Sequence, residues 1–141
     1  MAIIKALTVD AKSENLDLVT EFVDNFLEEN DCPMKTQMQV NIAIDEVFHN
    51  IVSYAYTDKK GDIEIQIDSD GPVKLVLIFK DKGVRFDPLQ NTDPDITLSS
   101  DEREVGGLGI FMVKKLMDVV SYSYEDGMNI LTLEKTWQKS F

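Results

Sequence analysis

The chain has 141 residues, 43% of them hydrophobic and 28% charged, which suits one soluble globular domain and excludes wholesale disorder. A net charge of −12 opposes a phosphate backbone, so direct nucleic-acid binding is not expected. The single cysteine, Cys32, excludes an internal disulfide or a cysteine zinc cluster, and residues 1–5 carry no signal pattern; the longest apolar run, 75–79, cannot span a membrane, so the expectation is a cytoplasmic protein.

In chain order, residues 3–9 read as a first strand. Ser13 is placed to cap a helix over 14–29, whose Leu16, Val19, Phe22, Val23, Phe26 and Leu27 recur at the three-and-four spacing of one buried stripe. Pro33 interrupts the pattern, and a second helix with Thr36 and Gln39 in capping-box spacing runs to about residue 56. Its Val40, Ala43, Val47, Ile51 and Ala55 form an apolar face. Two paired strands follow, over 63–67 and 73–79. The first alternates Ile63, Ile65 and Ile67 with Glu64 and Gln66, so one sheet face should meet water; the second is apolar almost throughout and reads as central. A polar stretch over about 87–105 has the length of a lid or binding loop. Glycines then open a short helix over 110–117, and strands over 119–124 and 129–136 close a hairpin about Asp126-Gly127. The order implies an α+β two-layer sandwich, helices on one face of a mixed, mainly antiparallel sheet, in a single domain over 1–141.

Three clusters hold residues with chemistry. Asp45, Glu46, His49, Asn50 and Ser53 lie on the second helix. Glu46 and Asn50 are four apart and share a face, where a carboxylate can take a proton and a carboxamide oxygen can ligate a hard cation. The same residues also suit the solvated face of an amphipathic helix. Asp81-Lys82-Gly83 ends the central strand, either holding a carboxylate at a pocket floor or simply turning the chain. Gly106-Gly107-Leu108-Gly109 leads into a helix, where backbone N–H groups can meet an anion or glycines can serve as a hinge. No P-loop and no dinucleotide-binding glycine pattern is present.

Taken in this order, the clusters resemble the GHKL ATPase superfamily and its Bergerat fold over nearly the whole chain. Glu46-Val47-Phe48-His49-Asn50 is similar to the N box, Asp81-Lys82-Gly83 to the G1 box and Gly107-Leu108-Gly109 to the G2 box. Within the superfamily, Phe86-Asp87-Pro88-Leu89 and the stretch from Gly106-Gly107-Leu108-Gly109-Ile110 onward resemble the anti-sigma-factor serine kinases of bacterial partner switching. The resemblance implies a serine/threonine kinase using ATP and Mg²⁺, with Glu46 as general base and Asn50 as Mg²⁺ ligand. It further implies that Asp81 takes the adenine amino group while Gly83 makes room for the base, and that Ser53, Phe86, Gly106, Gly107, Leu108, Gly109, Ile110 and Thr132 complete the ATP site, with Arg103 from the lid on the γ-phosphate. Two positions depart from the family pattern: Val84-Arg85 replaces a second G1 glycine, and Tyr54 stands where relatives often have His. The implied partners are a STAS-domain anti-anti-sigma protein, a sigma factor and a second copy of the chain in a homodimer. An alternative is a non-catalytic binding module whose partner choice is gated by ATP.

Overall fold

A computed structural model describes residues 3–56, 60–69, 73–90 and 107–138. Strand β1 (Ile3–Asp10) is followed by helices α1 (Leu16–Glu29) and α2 (Met34–Tyr54), strands β2 (Asp62–Asp68) and β3 (Lys74–Asp81), helix α3 (Gly107–Leu116), and strands β4 (Val119–Glu125) and β5 (Met128–Thr136). The strands form one sheet in the order β1-β2-β3-β5-β4, and all four pairings are antiparallel. The apolar β3 lies at the centre. Among the described residues, no helix is long and apolar enough to cross a membrane.

Strand parity decides where the core forms. Ile63, Ile65 and Ile67 of β2, Leu75, Leu77 and Phe79 of β3, and Leu131 and Leu133 of β5 share one face. Against it pack Val19, Val23, Phe26 and Leu27 of α1, Val40, Ala43, Ile44, Val47 and Phe48 of α2, and Val113 of α3. The opposite face carries Lys74 and Glu134, paired at 3.3 Å. Gln66 also lies there, yet it is buried, its amide donating to Glu64 Oε2 at 3.0 Å. A solvated face was expected at this position, and Gln66 is instead withdrawn from water.

Several ends differ from the sequence reading. Ser13 starts a 3-10 turn, and α1 begins at Leu16 with no side-chain cap. Helix α2 begins at Met34, directly after Pro33, which leaves Thr36 and Gln39 inside the helix; Pro33 fixes its own φ at −61° and starts the helix without a capping box. The helix ends at Tyr54, and the next carbonyl, Ala55 O, accepts a hydrogen bond from Val84 N at 2.6 Å. Helix α3 begins at Gly107, so the glycines form its first turn. Its far end is closed by Lys135 Nζ donating to Leu116 O at 2.6 Å. The β4–β5 turn matches its expectation: Asp126 and Gly127 have φ of 53° and 77°, the two positive values a type I′ hairpin needs. Just beyond β5, Trp137 N donates to Val73 O at 3.1 Å and its indole N–H to Asn30 O at 3.2 Å, tying the strand's end to the α1–α2 junction.

Candidate functional site

Helix α2 acts as the spine of the site. At Glu46 it meets the first turn of α3. A Cβ at Gly109 would overlap Glu46 Oε2, so the carboxylate rests directly on the glycine. The N-terminal turn of a helix favours negative charge there. At its other end α2 meets the segment after β3, where a Cβ at Gly83 would overlap the Ala55 carbonyl. Gly83 is therefore required by the helix end itself. From Glu46 to Ala55 is nine residues, or about 13 Å along the axis.

Between these two ends a cavity of about 460 Å³, counting its open mouth, is walled by Val47, Phe79 and Leu131 and carries polar groups from Asn50, Asp81 and Asn129. Apolar walls with a few convergent polar groups suit a small-molecule site. Asp81 is only 5% exposed. Its Oδ1 accepts from Gly83 N and from Asn129 Nδ2, both at 2.9 Å, and among the described residues Oδ2 carries no hydrogen bond. Burial pushes its carboxyl above the usual carboxylate range, and the bonds from Asn129 and Gly83 partly oppose that rise. Asn50 is likewise buried, and among the described residues its Oδ1 has no hydrogen-bond partner. A buried acceptor left alone is costly, and a hard oxygen donor of this kind fits a Mg²⁺ ion. At the mouth the rings of Tyr54 and Phe86 lie 6.2 Å apart, inclined by 33°. Arg85 turns away from the cavity, with its guanidinium 4.9 Å from the ring centre of Tyr124.

The expected residues are thus partly assembled. Asn50, Asp81, Phe86 and Ile110 line the cavity, and Glu46 adjoins it one turn along α2. Ser53 lies on α2 outside the cavity wall. Gly107 and Leu108 belong to the first turn of α3, while Arg103 and Gly106 lie outside the described residues. Thr132 is a correction. It pairs with Ile78 and falls between Leu131 and Leu133, so strand alternation turns it to the opposite face of the sheet. The β5 residue that reaches the cavity is Asn129, on the parity of the two leucines. A polar residue on the core-facing parity of a strand is the signal that would have found it.

The geometry prepares for the relationships found by comparison. Residues 9–135 match the family model of the histidine kinase-like ATPase domain. The chain belongs to that family. Over 100 residues it is 30% identical to the serine/threonine-protein kinase BtrW of Bordetella bronchiseptica, covering 70% of each chain. Over 96 residues it is 31% identical to the serine-protein kinase RsbW of Bacillus thuringiensis, covering 65% of this chain and 59% of that relative's length. In fold it matches a Mycobacterium tuberculosis chain carrying RsbU and RsbW domains, with a TM-score of 0.65 at 18% identity, over 98% of this chain and 34% of that one. As a member of this family the chain has the α+β ATPase architecture described above, and the relatives named here are serine or serine/threonine protein kinases.

Proposed function

We propose that the protein is an ATP- and Mg²⁺-dependent serine kinase and anti-sigma factor, acting in the cytoplasm on a STAS-domain anti-anti-sigma protein. The observation that carries this reading is Asp81 on the wall of an α2-lined cavity that Glu46 adjoins one turn along the helix from Asn50. A nucleoside triphosphate lying along the helix would meet Asp81 Oδ2 with its base and the first turn of α3 with its phosphates. Bound Mg²⁺, held through Asn50 Oδ1, would offset phosphate charge that a protein at −12 does not attract at long range.

Glu46 then serves as general base. It takes the proton of a partner's serine hydroxyl as that oxygen bonds to the γ-phosphorus and the bond to the β–γ bridging oxygen breaks, releasing ADP. The backbone N–H groups of the first turn of α3, from Gly107, Leu108 and Gly109, would meet the phosphates, with Ile110 on the cavity wall beside them. A sigma factor would be the partner held when the STAS protein is phosphorylated, and a homodimer is the proposed assembly. The names of the RsbW and BtrW relatives support the kinase activity.

The test is label transfer from γ-labelled ATP to a purified STAS protein. Glu46→Gln should lower the rate by roughly 10²–10⁴-fold, the usual worth of a general base, while leaving ATP affinity nearly unchanged. Binding of ATP without transfer by the wild-type protein would instead mark an ATP-gated module.

A further inference from the structure

We propose that Tyr122 and Asn129 are positioning residues for base selection, holding Asp81 so that a single acceptor, Oδ2, faces the nucleotide. The inference rests on the ATP reading above and names how that site would tell one purine from another. Neither side chain needs to touch the base in a specific way; both act through Asp81.

The Asn129 carboxamide is the centre of the arrangement. It is 7% exposed, and both of its ends are committed. Nδ2 donates to Asp81 Oδ1 at 2.9 Å and to Val84 O at 3.0 Å. Oδ1 accepts from Phe86 N at 3.1 Å and from the Tyr122 hydroxyl. A carboxamide's two ends are alike in shape and opposite in hydrogen bonding. Turned over, this one would set its oxygen against Asp81 and Val84 O, and its NH₂ against Phe86 N–H. The Tyr122 hydroxyl adds a second donor on the oxygen side and so raises the cost of that turn.

The consequence falls on Asp81. With Gly83 N and Asn129 Nδ2 both on Oδ1, the carboxylate cannot rotate without losing two bonds, and Oδ2 stays aimed as an acceptor. A base with an exocyclic amino group satisfies it. A base with a carbonyl at that place meets acceptor with acceptor, and a site built for one hydrogen bond rejects the analogue that lacks it. Asn129 holds Asp81 Oδ1 directly and Tyr122 holds Asn129, and all three residues line the cavity.

The experiment is competition binding, with a fluorescent ATP analogue displaced by ATP, by GTP and by purine riboside triphosphate, which lacks the amino group. Tyr122→Phe removes only the hydroxyl. It should weaken ATP by about tenfold, the scale of one hydrogen bond, leave purine riboside triphosphate within about twofold, and narrow the ATP-to-GTP gap by about tenfold. Asn129→Gln, which keeps both polar ends and shifts them by one methylene, should give the same selective loss, and it decides the matter if the first variant fails to melt cooperatively. Equal weakening of all three nucleotides would show a merely structural role and overturn the inference, as would no change. Wild-type protein that binds none of the three would overturn the ATP reading itself, a result distinct from either.

Discussion

Asp81 shows what a buried carboxylate costs the fold. Its raised carboxyl means that the folded chain holds the proton more tightly than the unfolded chain does. Stability from this group is therefore greatest below the ordinary carboxylate value of 3.8 and falls as pH rises from there through the folded value. The penalty of burying the charge grows as pH rises through the folded value. Asp81→Asn should accordingly raise the melting temperature of the nucleotide-free protein at pH 7, with the gain vanishing on acidification below the usual carboxylate range. ATP affinity should fall in the same variant, because an amide can present a donor where the adenine amino group needs an acceptor. Thermal melts across pH, set beside ATP titrations, check both halves. At this scale residue type and spacing singled out Glu46, Asn50 and Asp81, and the structure gathers Asn50 and Asp81 on one cavity wall with Glu46 beside it. The same reading misled at Thr132, because chemistry alone does not say which side of a strand a residue occupies. Counting from Leu131 and Leu133 leads to Asn129 instead.

Two glycines belong to the scale of the elements, and they are constrained by different kinds of neighbour. An added Cβ at Gly83 meets the Ala55 backbone, which is held in place by its bond to Val84 N. Gly83→Ala should destabilise the protein by roughly 1–3 kcal/mol, the range for overpacking. At Gly109 the added Cβ meets the far end of the Glu46 side chain, which can swing away. Gly109→Ala should therefore leave stability unchanged or raise it by at most about 1 kcal/mol through helix propensity, while displacing the carboxylate and lowering phosphoryl transfer. Denaturant melts and transfer assays on the two variants separate these effects. The elements themselves were largely legible, because each buried stripe kept its period. Their ends were less so. The local cap signal at Ser13 gave way to a 3-10 turn and that at Thr36 to the Pro33 start, and no local pattern announces the tertiary bond at Ala55.

For the whole molecule, the net charge of −12 sets the terms of stability and binding together. Self-repulsion of this size is screened as the Debye length shrinks from about 30 Å at 0.01 M salt to about 8 Å at 0.15 M. The melting temperature at neutral pH should rise over that interval of sodium chloride, and Mg-ATP should raise it further by mass action if the proposed site is occupied. A fall with salt would mean that attractive surface pairs such as Lys74–Glu134 outweigh the repulsion. The architecture was legible at this scale, since α+β order and a central apolar strand follow from the periodicities. The cavity was not, because it forms where residues from α2, β3, α3, β4 and β5 meet.

The anchoring of Trp137 has an optical consequence. It is the chain's one tryptophan, buried to 8% exposure with its indole N–H on Asn30 O. Eight residues of extended chain separate it from Asn129, about 26 Å at 3.3 Å per residue. Its emission should therefore follow the closing of β5 against the α1–α2 junction and ignore what enters the cavity. Fluorescence at a fixed temperature should stay unchanged as ATP is added, and shift to the red only when the fold opens. The protein thus carries a built-in reporter of unfolding that is blind to its proposed ligand, so that occupancy and stability can be followed in one cuvette by separate signals.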